Sequence, residues 1–245
     1  MTSPEISALI DQANAGVVDA QYQLGVHYAE GDGVARDAVA AARWVTTAAM
    51  HGLVQAQCTL GLFYATGAGV AQDYSVASTW FRQAAPQEPR AAFNLALLQQ
   101  ASLVPEAHPG EIAELLRAAA AGGIPEAQFN LGVELLVAAD SPAGKEAAAE
   151  WIFAAARSGL ADAQYQLGLM FDTAEGVGHD QLLAVEWYTL AAAQGHVSAQ
   201  YNLGLHYELG HEGLERDLAR AAELYREAAA AGHEKAIDSL IALAG

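Results

Sequence analysis

The sequence is short of cysteine, of basic residues and of long hydrophobic runs. Its 245 residues include one cysteine, Cys58, which excludes an intramolecular disulfide framework and fits a reducing compartment. Lys and Arg total 11 against 29 Asp and Glu, which gives a formal net charge of −18. Because nucleic acids and anionic membranes are bound through basic clusters, we expect neither as a partner.

Signals for export and for membrane insertion are also lacking. No apolar stretch approaches the roughly 20 residues that span a bilayer. The start, MTSPEISALIDQ, has neither the basic segment nor the apolar segment of a secretory signal. We therefore predict a cytoplasmic location. Only seven prolines and no Ser/Gly-rich run occur, so no long flexible linker is predicted.

One hexapeptide recurs along the chain. AQYQLG stands at 20–25 and again at 163–168, and AQYNLG stands at 199–204. A fixed period of this kind predicts a repeat architecture. The leucines in register are spaced 36, 35, 36, 36 and 36 residues apart: Leu24, Leu60, Leu95, Leu131, Leu167 and Leu203. A large residue follows each leucine by 20 residues, or by 21 in the last repeat: Trp44, Trp80, Leu115, Trp151, Trp187 and Leu224.

Each repeat is predicted to be two helices joined by a turn. The first helix begins near Asp19, and Leu24 and Tyr28 fall on one of its faces. The glycine after the leucine permits close approach of a neighbouring helix, and GDGV at 31–34 ends the first helix. The second helix is predicted to bury Trp44 and to stop at Gly52.

One helix pair cannot bury both of its faces, so successive pairs are predicted to stack around a continuous core. We predict an all-α fold, a right-handed α/α superhelix (solenoid) of about six such repeats that forms one domain over residues 1–245. The repeats start near residues 19, 55, 90, 126, 162 and 198. A half-repeat stands at each end, as a cap helix at 4–15 and another at 234–244.

The segment AQYQLGVHYAEGDGVARD, followed by AARWVTTAAMHG, resembles the Sel-1-like repeat family, a tetratricopeptide-like group. Repeats one, two, five and six match the family pattern closely. Repeat three has Ala96 in place of the glycine and QQASLVPEAHPG at its turn, and repeat four has LVAADSPAG. The resemblance implies a protein-interaction scaffold or adaptor, usually bacterial, and some members of the family are immunity proteins against toxins.

No residue pattern predicts catalysis, a cofactor or a metal site. The glycine-rich stretch at 65–73 lacks the lysine of a phosphate-binding loop. Cys58 takes a tyrosine position of the repeat and has no cationic neighbour in sequence that would activate its thiolate. His206 and His211 have Glu208 and Glu212 nearby, but a metal site requires the histidines to converge. Because their five-residue step crosses a predicted helix end, we expect that they do not.

Other polar residues have structural explanations. Asp37 and Asp180 occupy the repeat position that precedes the second helix, where an aspartate caps the free N–H groups. His51, His196 and His233 stand beside the glycines at repeat ends, at or near equivalent positions, so they do not indicate a cluster. We therefore expect a protein that is not an enzyme.

The remaining candidate surface is a stripe of aromatic and aliphatic residues on the first helices, two residues before and two after the repeat leucine; we call it the lane. By analogy with tetratricopeptide packing, the lane faces the concave groove and contacts a protein partner; packing between repeats is the alternative. The predicted contacts are Tyr22, Val26, Leu62, Phe93, Leu97, Phe129, Val133, Tyr165, Leu169, Tyr201 and Leu205. Acidic residues around it form a predicted acidic rim: Glu126, Glu134, Asp162, Asp172 and Glu208.

An apolar lane with an acidic rim favours a basic or amphipathic segment of a protein partner, unless the acids serve solubility alone. Three functions remain open. The first is a non-catalytic scaffold or adaptor, and the second is a cytoplasmic immunity or inhibitor protein that neutralises a basic toxin or effector. The third is a hydrolase of β-lactamase-like type, which ranks last because the chain lacks the paired cysteines of the cysteine-rich family members.

Overall fold

The computed structural model describes residues 4–108, 110–211 and 213–244. Fourteen α-helices occupy these ranges, and the isolated β-bridge found within them joins His211 to Leu214. The chain divides into two compact units, Met1–Ile124 (unit 1) and Pro125–Gly245 (unit 2). The predicted all-α repeat fold is confirmed.

Within each unit, successive helices pack on one another in chain order. Unit 1 contains α1 (Pro4–Asn14), α2 (Val18–Glu30), α3 (Ala38–Met50), α4 (Val54–Thr66), α5 (Tyr74–Ala84), α6 (Pro89–Gln100) and α7 (Glu111–Ala121). Unit 2 contains α8 (Pro125–Ala138), α9 (Pro142–Arg157), α10 (Ala161–Thr173), α11 (Gln181–Ala193), α12 (Val197–Leu209), α13 (Leu218–Ala230) and α14 (Glu234–Ala244). Among the described residues, no helix combines the length and the apolar character that crossing a membrane demands.

Aspartates begin the second helices of four repeats, as the sequence predicts for two of them. The side chain of Asp37 accepts a hydrogen bond from the N–H of Ala40 at 3.0 Å, and Asp73 caps α5 in the same way. Asp180 and Asp217 cap α11 and α13. Each cap satisfies a backbone donor that has no partner within the helix, a contribution of about 1 kcal/mol.

The glycine beside the repeat leucine makes room for a side chain of the second helix. A methyl group on Gly168 would lie 2.6 Å from Cε1 of Tyr188, and one on Gly61 would lie 2.6 Å from Cδ1 of Phe81. Both rings are consequently removed from water. The close approach of the paired helices therefore depends on the absence of a side chain at the glycine.

The core position of the second helix lies one residue later than the sequence analysis predicts. Trp44 is half-buried, whereas Val45 is fully buried against Gly25. Trp44 instead packs on the cluster around Ala13 and Leu24. The prediction is wrong because a second helix contacts helices on both sides, and the glycine selects the later of two adjacent apolar residues. The corresponding fully buried residues are Phe81, Ile152, Tyr188 and Tyr225.

Buried glutamines of the recurring hexapeptide connect one repeat to the preceding one. Gln21 and Gln57 donate their Nε2 groups to the carbonyl oxygens of Ala13 and Ala49 at 3.2 and 3.3 Å. Gln164 makes the same contact with the end of α9. The backbone N–H of the glycine that follows each helix donates to the same carbonyl oxygen, so the glutamine supplies a second hydrogen bond to it. The recurrence of the glutamine is visible in the sequence, but its hydrogen bond to the preceding helix is not predicted by the repeat pattern.

The altered turn of the third repeat is anchored by a buried carboxylate. Glu111, at the start of α7, accepts hydrogen bonds from Nη1 of Arg82 at 2.9 Å and from Nε2 of Gln99 at 2.6 Å. The N–H of Ala107 in the turn also donates to it. Burial opposes the ionised form of Glu111, but these donors outweigh that effect and lower its pKa. The carboxylate thus fixes the segment that replaces the usual glycine turn.

Candidate partner-binding surface

In unit 1 the lane lies on α2, α4 and α6. Leu62 on α4 is 46% exposed and Leu97 on α6 is 42% exposed, and these two helices contact one another. Tyr22 and Val26 on α2 are half-buried. The ring of Tyr22 packs against the core of the following repeat, and its hydroxyl lies 3.2 Å from Oγ1 of Thr59. The exposed apolar surface of the lane in unit 1 is therefore concentrated at these two leucines.

Of two other lane positions in unit 1, one is buried and one is half-buried. Phe93 is only 7% exposed, so it has little surface left for a partner and does not support its predicted role as a contact. Cys58 packs against the cluster that contains Phe81. Burial, and then the negative charge of Glu88, raises the pKa of the Cys58 thiol to about 11. The thiol is therefore protonated at neutral pH, and a thiolate nucleophile is not available there.

In unit 2 the lane lies on α8, α10 and α12. Its residues are all half-buried: Phe129, Val133, Tyr165, Leu169, Tyr201 and Leu205. Tyr165 and Tyr201 stack on His196 and His233 with ring centroids 4.5 Å apart in both pairs. Nδ1 of His196 also accepts the N–H of Ala199 at the start of α12. The tyrosines thus pack between repeats with one face and leave the rest of the ring partly accessible.

Three members of the acidic rim lie on α8 and α10. Glu134 is exposed on α8, and Glu126 is half-buried near the start of that helix. The carboxylate of Asp162 is exposed and lies 3.3 Å from Nε2 of His196. These side chains supply negative charge beside the lane of unit 2.

Asp172 and Glu208, the other two residues of the acidic rim, are hydrogen-bonded within the fold. They accept hydrogen bonds from the hydroxyls of Tyr188 and Tyr225 at 2.8 and 2.6 Å. Burial and then these bonds raise the pKa of each tyrosine. Each carboxylate therefore satisfies the hydroxyl of a buried core residue, which ties the end of a first helix to its second helix.

The structure brings His206 and His211 together, although the sequence analysis expects them to stay apart. Nδ1 of His206 lies 3.2 Å from Nε2 of His211, and Nε2 of His206 lies 3.1 Å from Oδ2 of Asp172. The reason is the turn after α12. His211 and Leu214 exchange backbone hydrogen bonds at 3.0 and 2.9 Å, which folds the chain back beside the last turn of the helix.

The described side chains of this cluster are hydrogen-bonded to one another rather than arranged around a metal position. His206 uses one ring nitrogen on Asp172 and the other on His211. Over residues 4–108, 110–211 and 213–244, no group of three or more His, Cys, Asp or Glu side chains is arranged to hold a metal ion. Glu212, the other acid near His211, lies outside the described residues.

A cavity of about 310 Å³ adjoins the cluster. Asp172, His206 and His211 line it together with Asn202, whose Nδ2 donates to the hydroxyl of Tyr188 at 3.3 Å. Leu205 and Leu209 contribute apolar wall. Burial opposes the charged form of Asp172, but the bonds from His206 and Tyr188 outweigh it and lower the pKa of Asp172. A lane residue, Leu205, and a rim residue, Asp172, thus border the same cavity.

The family model described as Sel1 repeat matches residues 18–53, 54–87, 125–160, 161–196 and 197–233. A Sel1 repeat protein from Oxalobacter formigenes shares 32% sequence identity with this chain and superposes with a TM-score of 0.67. That alignment covers 96% of this chain and 68% of the other. No curated protein matches the chain.

Two more distant solved structures share the fold. One is a protective antigen present in uropathogenic Escherichia coli strains, 24% identical with a TM-score of 0.52, over 97% of this chain and 66% of the antigen. This chain thus spans slightly less than two thirds of that antigen. The other is an immunity protein from Pseudomonas aeruginosa, 22% identical with a TM-score of 0.52, over 93% of this chain and 81% of the other.

Proposed function

Since this chain belongs to the Sel1 repeat family, we propose that it is a non-catalytic module that binds a protein partner along the lane of its first helices. The observation that carries the proposal is the exposure of Leu62 and Leu97 on contacting helices. Complete burial of a leucine contributes about 1.5–3 kcal/mol, so two half-exposed leucines are a substantial apolar anchor for an interface.

Charge supports a basic partner segment. The chain carries a net charge of −18, and Glu134 and Asp162 present exposed carboxylates beside the lane of unit 2. Complementary charge mainly accelerates encounter between proteins, and salt screens it beyond about 10 Å at 0.1 M. We therefore expect the association rate to fall as salt is raised, while the apolar contacts keep the complex together.

An immunity or inhibitor protein is a second candidate within the same class of function. It is supported by the fold shared with the Pseudomonas aeruginosa immunity protein and by the acidity of the chain. A cytoplasmic protein of this kind would neutralise a basic toxin or effector at one-to-one stoichiometry. Titration of purified chain into an assay of a toxin encoded beside its gene distinguishes this function from an adaptor. The hydrolase alternative is disfavoured by the protonated thiol of Cys58.

The lane is tested with two double variants of equal charge change. Leu62→Lys with Leu97→Lys places two cations on the lane, and Val39→Lys with Met50→Lys places two on exposed positions of α3. Partner captured by the immobilised chain and identified by mass spectrometry should bind the lane variant at least tenfold more weakly. The α3 variant should bind like the wild type. Both should keep a helical circular dichroism spectrum.

The proposal is contradicted if the lane variant, still helical, retains the partner with the affinity of the α3 variant. Equal loss in both variants would show that added positive charge alone weakens binding, and the lane would then have no special role.

A further inference from the structure

Several hydrogen-bond donors around the cavity of unit 2 are used within the protein, whereas the amide of Gln181 and the second Nδ2 proton of Asn202 have no partner among the described residues. The one hydroxyl proton of Tyr188 goes to Oδ2 of Asp172, so the contact between that hydroxyl and Asn202 must use the Nδ2 group of the amide. Nε2 of His206 donates to the same Oδ2 atom. When the ring of His206 is neutral, its Nδ1 atom is then an acceptor and His211 supplies the proton between the two rings.

Two acceptors that line the cavity are also left over. Oδ1 of Asp172 and Oδ1 of Asn202 have no hydrogen-bond partner among the described residues, and both side chains line the cavity. The side chain of Asp172 is 23% exposed, so a ligand can reach it. None of the described residues that line the cavity is a lysine or an arginine, so His206 is the described cavity residue that can place a positive charge on Asp172, and it does so when it is protonated.

The apolar walls of the cavity also favour a ligand with an apolar part. Leu205 and Leu209 line the cavity, and Leu209 is largely exposed. The carboxylate of Asp172, with its free Oδ1 atom, and the apolar walls together favour a ligand with an aliphatic stem and a cationic head, which describes a lysine or arginine side chain. Oδ2 of Asp172 already accepts two bonds, so the carboxylate cannot offer both oxygens to a planar guanidinium. That favours the compact ammonium of lysine.

We propose that this cavity binds a lysine side chain of the protein partner, with the ammonium on Asp172 and Asn202 and the stem along Leu205 and Leu209. The inference rests on the proposed function and names one chemical group of its partner. Leu205 is also a lane residue, so a segment that covers the lane of unit 2 reaches the cavity without a gap.

A purely structural role for Asp172, in which it only accepts the hydroxyl of Tyr188, would explain part of the same geometry. The following repeat contains a carboxylate with that role alone, which provides a comparison. Glu208 accepts the hydroxyl of Tyr225 as Asp172 accepts that of Tyr188, but Glu208 does not line this cavity. Glu208→Gln is thus a matched control for Asp172→Asn: each removes one negative charge and leaves an oxygen to accept the tyrosine.

The experiment uses the full chain and the probe Nα-acetyl-lysine N-methylamide at pH 8 and constant ionic strength. Ring C–H signals of His206 and His211 should shift and saturate in NMR spectra as the probe is added. The norleucine analogue should cause no shift, and the arginine analogue should bind more weakly than lysine. Asp172→Asn should weaken lysine binding at least tenfold, whereas Glu208→Gln should leave it within twofold.

The inference is overturned if norleucine or sodium chloride produces the same shifts, if arginine binds more tightly than lysine, or if Asp172→Asn binds lysine like the wild type. Should Asp172→Asn lose its helical spectrum, Asn202→Ala gives the same test, with at least a threefold loss expected and no loss contradicting it. If the lane variant loses the partner but the wild-type chain does not bind the lysine probe, the lysine site is refuted and the proposed function stands. If the wild-type chain binds the probe but the lane variant binds the partner like the wild type, the proposed function is refuted and the lysine site stands.

Discussion

Replacement of Gly168 by alanine tests the packing on which the repeat depends. The added methyl group would lie 2.6 Å from Cε1 and 2.7 Å from Cδ1 of Tyr188. The ring is fully buried, and its hydroxyl is bonded to Asp172 at 2.8 Å and to Asn202 at 3.3 Å. It therefore cannot move away from the methyl group without losing these hydrogen bonds or separating α10 from α11.

The expected cost follows from three effects. Overpacking of a filled core costs about 1–3 kcal/mol. Loss of the hydrogen bond between Tyr188 and the charged Asp172 costs a further ~1.5–3 kcal/mol if the ring is displaced. Alanine in place of glycine within a helix returns about 1 kcal/mol. We expect Gly168→Ala to lower the free energy of unfolding by about 1 kcal/mol if the bond survives and by about 3 kcal/mol if it breaks.

Urea unfolding followed by circular dichroism measures this loss. Gly178→Ala is the matched control, because its methyl group would meet nothing within 4 Å and its φ lies outside the left-handed region. The control should stay within about 0.5 kcal/mol of the wild type. A Gly168→Ala protein as stable as the control would refute the packing argument. In Gly168→Ala with Tyr188→Leu, the smaller side chain makes room, so the double variant should lose less than the sum of the two single changes.

Two further predictions concern titratable groups. The lowered pKa of Glu111 means that its contribution to stability is full above its ordinary value of 4.5 and is lost as pH falls through the lower folded value. Thermal unfolding from pH 6 to pH 3 should show a smaller acid-induced fall in Tm for Glu111→Gln than for the wild type; equal falls would contradict the assignment. The Cys58 thiol, with its pKa raised from 9.0 to about 11, should react with a disulfide reagent at pH 8 about 100-fold more slowly in the folded chain than in urea. Equal rates in the two states would show that the folded thiol is neither buried nor electrostatically disfavoured.

The repeat itself could be read from the sequence because stacking places the same demands on every unit. The first helix of repeat one was expected near Asp19, and α2 begins at Val18. The leucine, the glycine and the capping aspartate recur because each solves one packing or hydrogen-bonding problem in every repeat. Because these residues recur at a fixed spacing, they can be recognised in a single sequence without an alignment of relatives.

The repeat spacing does not predict which of two adjacent apolar residues faces the core. Trp44 and Val45 are both apolar, and only the contact with Gly25 shows that the smaller residue occupies the core. The turn after α12 posed the same difficulty. His211 returns to His206 because of backbone hydrogen bonds with Leu214, and spacing along the chain does not encode that reversal.

The contrast between Asp172 and Glu208 explains why a binding site is harder to predict than the fold that carries it. Both carboxylates accept a buried tyrosine hydroxyl, so this pair is part of the repeat. Of the two, Asp172 also contacts His206, and it lines a cavity together with Asn202 and His211. These three residues come from the next repeat and its turn. A stacking contact uses equivalent positions, whereas this cavity combines positions that are not equivalent. Periodicity therefore predicts the stacking contacts and does not mark the residues that distinguish one cavity from another.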